Sequence, residues 1–225
     1  MAGAPEPSLE DVLEKAADLQ RVIPGAVLVG GAAAAFYARH RVSMDHDHIL
    51  VDLDRTFDTV LENLEALGDF SLAKARAGKL ILGELGGIET GVRQMLRRRP
   101  LETTTVDIRG KPLEVPTAAE VLRIKAWLAV SRNQARDYLD MAALADTIGI
   151  AEAAGILGQI DDYYGDLNRR PEAVATQVAR QLADPRPRDD EVTRQLPAYK
   201  HLDPRWHDWD DVTRVLGDVA EAMIR

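Results

Sequence analysis

Two short apolar runs near the amino terminus, and what interrupts them, narrow the choice of fold more than anything else in the chain. Val27-Leu28-Val29 ends in Gly30-Gly31, and a second run, His46-Asp47-His48-Ile49-Leu50-Val51, carries Asp45 and Asp47 at alternate positions. The carboxylates follow Gly31 by fourteen and sixteen residues. A strand repeats every two residues, so Asp45 and Asp47 share one face and His46 and His48 the other. The pattern predicts a strand over residues 26–29, a glycine turn, a small-residue helix over 32–39 and a second strand reaching residue 52. Two carboxylates on one face repel each other and invite a cation. Opposite a helix start whose N–H groups favour anions, they can hold a divalent metal against a phosphate chain. The plainer alternative is a tight strand-to-helix turn followed by two solvated acids. Alternation also argues against a zinc site that mixes these histidines with the aspartates, and leaves His46 and His48 to packing or the surface.

Beyond this block the chain reads as an α+β protein. Residues 1–7 are expected to fray. Ser8 caps a helix over 9–22 whose apolar stripe is Leu9, Val12, Leu13, Ala16, Leu19 and Val22. A helix over 56–67 and strands over 70–72 and 80–85 follow. The basic stretch after Gly86-Gly87 gives no clear period. A strand pair over 103–108 and 113–116 flanks a turn at Arg109-Gly110. Thr117 caps a helix running to about Val130, and helices dominate from there, ending in an amphipathic one over 209–224. This shift sets a domain boundary at 116: a mixed sheet with flanking helices over 1–116, and a helical domain over 117–225 that completes the active site. Residues 184–190 read as a polar, proline-containing linker.

The 225 residues, 46% hydrophobic and 29% charged, suffice for one large domain or two small ones. The absence of cysteine excludes disulfides, thiolate catalysis and cysteine-ligated zinc. No apolar run approaches the roughly 20 residues that cross a membrane, and no signal-peptide pattern opens the chain, so a cytoplasmic protein is expected. A net charge of −9 argues against a general nucleic-acid-binding coat. It leaves room for one local basic patch, Arg93, Arg97, Arg98 and Arg99, which either guides an RNA backbone or is a solvated loop.

The glycine pair followed by Asp45-x-Asp47 resembles the nucleotidyltransferase superfamily, and more narrowly its AbiEii/MenT-type toxin branch. That branch places a basic residue and a serine or threonine before the acids, here Arg41 and Ser43. It also carries a helix with a functional lysine followed by Arg-Asp-x-x-Asp. The corresponding block runs from Pro116 through Lys125 to Arg136-Asp137-Tyr138-Leu139-Asp140. The resemblance covers about residues 20–145. It implies that Mg²⁺ or Mn²⁺ is held by Asp45 and Asp47, with Asp107 as a third ligand from a later strand or else an exposed strand acid. It implies an NTP bound by Gly30, Gly31, Arg41, Ser43 and Lys125, and catalysis by Asp45, Asp47, Lys125 and Asp137. It further implies a tRNA 3′ end as acceptor, a toxin of a toxin–antitoxin pair, and a separate antitoxin partner. Read from the residues alone, Lys125 can equally snorkel out of an apolar helix, and Arg41 and Ser43 can be a surface arginine and a cap. Rival readings are nucleotide transfer to a small molecule or a protein, the acidic balance suiting a cationic small molecule at least as well as RNA, and a non-catalytic nucleotide- or partner-binding protein.

Overall fold

A computed structural model describes residues 6–199 and 201–225. The predicted fraying at 1–7 therefore falls, for residues 1–5, outside the described residues. The chain divides into two compact units. The first comprises residues 6–36, 42–95 and 103–116; the second comprises 37–41, 96–102 and the described residues from 117 onward.

The first unit is built on helix α1 (Leu9–Val22), strand β1 (Val27–Val29), helix α2 (Gly30–Ala38, its last residues in the second unit), β2 (Asp45–Leu50), helix α3 (Leu53–Glu65), β3 (Phe70–Arg76), β4 (Leu80–Leu85), β5 (Ile88–Gln94), β6 (Thr103–Ile108) and β7 (Lys111–Pro116). A capping box starts α1: the Ser8 hydroxyl accepts from the Asp11 N–H, and the Asp11 carboxylate accepts from the Ser8 N–H at 2.9 Å. Five strands form one mixed sheet in the order β1-β2-β5-β4-β3. Only β2 and β5 run parallel; β1–β2, β5–β4 and β4–β3 are antiparallel. A core of Leu19, Ile23, Ala26, Leu50, Leu53, Val60, Leu64, Ile81, Leu85 and Val92 covers one face of this sheet. The remaining strands, β6 and β7, pair only with each other.

Several boundaries differ from expectation. The stretch without a clear period is β5, a central strand, because its alternation becomes apolar-in only where Ile88, Thr90 and Val92 meet the core. Helix α2 begins at Gly30 itself, and α3 begins at Leu53. Strand β2 stops at Leu50, where Val51 and Asp52 turn into α3.

The second unit is helical: α4 (Ala118–Arg132), α5 (Ala135–Ile148), α6 (Ile150–Gly158), α7 (Asp161–Tyr164), α8 (Val174–Ala183), α9 (Asp190–Arg194) and α10 (Trp209–Ile224). Thr117 caps α4 by accepting from the Glu120 N–H, and Asn133 ends it in the left-handed conformation at φ 55°. The apolar face of α10, Val212, Val215, Leu216 and Val219, is buried among α5, α6 and α8. No single helix among the described residues is long and apolar enough to cross a membrane.

Candidate active site

Strand β2 alternates half-buried and buried positions, so Asp45 and Asp47 lie on the face away from the core while His46 and His48 are fully buried. The expected parity is present, and it separates the imidazoles from the carboxylates. Ser43 donates to Asp45 Oδ1 at 2.7 Å. Gly30, at φ +75°, has a backbone that side-chain-bearing residues rarely adopt. A β-carbon there would stand 3.4 Å from both Cβ and Oδ2 of Asp47, so the helix start and the carboxylate are in contact.

The partner strand completes the setting. In the parallel register Asp45 faces Glu89, Asp47 faces Gly91 and Ile49 faces Arg93. A β-carbon at Gly91 would meet Asp47 Oδ1 at 2.5 Å. The Asp47 carboxylate thus occupies the space that a side chain would take. Arg93 reaches back along the same face, with Nε 3.6 Å from Asp47 Oδ1. Glu84 on β4 lies across from Glu89, continuing an acidic row away from Asp45. Among the described residues no three acidic or imidazole side chains converge as a metal cluster. Asp107 is not brought to Asp45 and Asp47: it sits on the separate β6–β7 hairpin, where its carboxylate accepts from the Gly110 N–H at 3.0 Å. A strand acid two residues before a tight turn tends to be used by that turn.

Behind β2, His46 and His48 meet edge to face, with ring centroids 5.3 Å apart. The Thr90 hydroxyl lies 3.1 Å from both the His46 carbonyl oxygen and its Nδ1. If its one proton goes to the carbonyl, the ring must donate from Nδ1, leaving Nε2 bare. Burial lowers the His46 pKa to about 4, against a smaller opposing pull from Asp45. Burial also holds His48 well below the ordinary histidine range, reinforced by His46.

The second unit collects the other predicted residues around Asp140. Its carboxylate accepts from Arg41 Nε at 2.9 Å and Nη2 at 3.2 Å, lies 2.6 Å from Lys125 Nζ and is 2.8 Å from His40 Nε2. Lys125, only 2% exposed, also stands 3.6 Å from Asp137, and Asp137 is clamped by Arg132 through two bonds of 2.6 and 2.7 Å. Burial alone would raise the Asp140 carboxyl; the charges of Arg41 and Lys125 and the His40 contact outweigh it and hold it well below the usual range. Burial likewise keeps His40 below its usual pKa, although Asp140 pulls the other way. Lys125 does not snorkel, since its ammonium ends on buried carboxylates. Arg41 belongs to this cluster rather than to the face of Asp45.

The basic patch is not one surface. Arg93 lies on the sheet beside Asp47. Arg97 is 4% exposed, ion-paired with the buried Glu120 at 2.7 Å and set over the Tyr164 ring at 4.9 Å. Arg98 and Arg99 are exposed. Glu89, Gly91 and His40 carry no local sequence signal and Arg93 reads only as part of a basic stretch; pairing across the fold reveals their positions.

The mixed five-stranded sheet with its glycine-started helix, flanked by helices, has a nucleotidyltransferase-like fold. Solved structures share it. The nucleotidyltransferase toxin MenT4 of Mycobacterium tuberculosis superposes with a TM-score of 0.55 at 20% identity, over 94% of this chain and 82% of that one. JHP933 of Helicobacter pylori does so with 0.51 at 16%, over 94% and 88%. The antibiotic-resistance factor ANT(2″)-Ia gives 0.51 at 12%, over 70% and 94%. No protein-family model matches the sequence. In sequence the chain is similar to part of two much longer proteins. It is 40% identical over 147 residues to the heme uptake protein MmpL11 of M. tuberculosis, covering 63% of this chain and 14% of that protein. It is 37% identical over 129 residues to the mycolic acid-containing lipids exporter MmpL11 of Mycolicibacterium smegmatis, covering 57% and 13%. The chain thus spans about one seventh of the length of these relatives.

Proposed function

We propose that the chain is a metal-dependent nucleotidyltransferase that moves a nucleoside monophosphate from an NTP to an acceptor hydroxyl. The proposed acceptor is the 3′ end of tRNA, and the proposed role is that of a toxin countered by a separate antitoxin. The observation that carries the metal-dependent transfer is the seating of Asp47 between Gly30 and Gly91, with Asp45 on the same face and held by Ser43; the acceptor and the toxin role rest on the resemblance. The donor set suits Mg²⁺ or Mn²⁺: such ions take one or two carboxylates and complete their shell with phosphate oxygens and water, so a third protein ligand is not required. Bound there, the cation would neutralise triphosphate charge. Ser43 fixes the orientation of the Asp45 carboxylate, and Gly91 leaves room for that of Asp47. The N–H groups at the start of α2 favour phosphate oxygens. The resemblance gives Lys125 a phosphate-neutralising role with Asp137 orienting it; with its ammonium buried on Asp140 and Asp137, Lys125 is proposed instead to hold those carboxylates in place. Catalysis is then positioning plus electrostatics, with the acceptor hydroxyl attacking the α-phosphorus and pyrophosphate leaving.

The test is incubation with each labelled NTP, Mg²⁺ and total RNA. Label is expected in tRNA, and its loss in Asp45→Ala, Asp47→Ala and EDTA. Undiminished labelling in either variant would refute the metal site. Label in a small cation or a protein instead would replace the acceptor. The sequence likeness to a segment of MmpL11 favours a second reading, a module that works beside a transport protein. Recovery of such a transporter by crosslinking, with no nucleotide transfer to any acceptor, would support it.

A further inference from the structure

Arg93 is an unusual neighbour for a metal-binding carboxylate. It projects from β5 two residues beyond Gly91, on the face that carries Asp45 and Asp47, and places Nε 3.6 Å from Asp47 Oδ1. Its side chain is 49% exposed and that of Asp47 30%, so the pair is wet and its partners can separate. Exposed pairs of this kind contribute little to stability, which makes an exchange of partners inexpensive. A divalent cation on Asp47 would meet a guanidinium already there, and two cations cannot share one carboxylate oxygen without repulsion. The guanidinium, once displaced, has five N–H donors in a plane suited to phosphate oxygens.

We infer that Arg93 is a resident counter-ion of Asp47 that gives up the carboxylate when metal arrives and turns to the triphosphate that comes with it. This rests on the nucleotidyltransferase reading of the Asp45/Asp47 face. Arg93 would hold Asp47 in its Gly91 seat without metal, make binding of metal alone unfavourable, and make binding of metal together with nucleotide favourable. The signature is a change of opposite sign in two affinities, which a merely structural arginine does not produce.

The experiment measures Mn²⁺ binding by electron paramagnetic resonance in wild type, Arg93→Gln and Asp47→Asn. The measurement is made first with Mn²⁺ alone and then with Mn²⁺ and a non-hydrolysable NTP analogue, after thermal melting has shown each variant folded. Arg93→Lys is the second variant, keeping the charge should the glutamine fail to fold. Removing a competing charge at this distance and exposure is expected to tighten Mn²⁺ alone about fivefold in Arg93→Gln. Loss of a charge-assisted phosphate contact is expected to weaken the analogue about tenfold in the same variant. Arg93→Lys should bind Mn²⁺ alone as wild type does and the analogue more weakly. If Asp47→Asn loses Mn²⁺ binding but Arg93→Gln changes neither affinity, or both in one direction, the inference about Arg93 fails and the metal site stands. If Asp47→Asn binds Mn²⁺ as wild type does, the metal site fails, and the inference with it.

Discussion

Replacement of Gly91 by alanine isolates the geometry of Asp47 from every other property of the site. The added methyl carbon would stand 2.5 Å from Asp47 Oδ1 and 3.0 Å from Leu82 Cδ2. The first distance is about 1 Å inside a comfortable non-bonded contact, so the carboxylate must move by about that much. Turning Asp47 away from its rotamer costs about 0.5–1.5 kcal/mol. Relief of glycine's backbone entropy in a strand returns about 0.5–1 kcal/mol. Net stability should therefore change by no more than about 1 kcal/mol, readable as a small shift of a urea midpoint. Activity responds differently. A displacement of about 1 Å in a positioned group costs about a hundredfold in rate, equivalent to about 2.7 kcal/mol of barrier. The assay pairs kcat/KM for nucleotide transfer with urea unfolding and Mn²⁺ affinity on the same sample. A folded Gly91→Ala protein with wild-type kcat/KM would refute the argument, because Asp47 would then tolerate a methyl group where the structure leaves no room.

Three further outcomes are expected. Asp140→Ala strands Arg41 and Lys125 in the interior of the helical unit and should cost about 3–5 kcal/mol in chemical denaturation; a cost under 1 kcal/mol would mean the cluster is not a structural hub. Arg97→Ala leaves the buried Glu120 with Arg123 alone and should destabilise by about 3 kcal/mol, whereas Arg98→Ala should stay within about 0.5 kcal/mol; equal effects in urea unfolding would contradict their different burial. Burial holds the folded pKa values of His40, His46 and His48 below the unfolded value of 6.5, with His46 at about 4. The unfolded chain therefore binds protons first, and stability, flat above about pH 6.5, should decline as pH falls from there toward 4, by at most about 1.4 kcal/mol per pH unit for each histidine. Denaturation midpoints that do not move between pH 7 and 4.5 would exclude this.

Local pattern revealed β2 and α1 because their signals are complete within a few residues: Asp-His-Asp-His at period two, and a serine cap ahead of a helical stripe. The mixed sheet followed from several such segments. Strand β5 was opaque, since Glu89, Gly91 and Arg93 look like a loop until Asp45, Asp47 and Ile49 stand opposite them. The same non-locality hid the Asp140 cluster, in which Arg41 and its carboxylate lie 99 positions apart. It also left Asp107 open between a third ligand and an exposed strand acid, because its strand has the composition of a sheet member yet pairs only within its own hairpin. Arg97 misled for another reason: in sequence it is one of three consecutive arginines, and only Glu120 and the Tyr164 ring explain why it turns inward while its neighbours do not.

The alternation along β2 also bears on how the chain reaches its fold. This strand joins the sheet to β5 by the one parallel pairing, so it must find its place across the forty or so intervening residues of α3, β3 and β4. Had both sets of side chains been apolar, a shift of a single residue would have been nearly neutral. Here a slip by one would drive Asp45 and Asp47 into the hydrocarbon interior and expel His46 and His48, at a cost of several kcal/mol for each unpaired buried carboxylate. The residues proposed to hold the metal therefore also guard against misalignment during folding. Replacing both aspartates with small apolar residues should yield a protein that refolds more heterogeneously, whatever becomes of its chemistry.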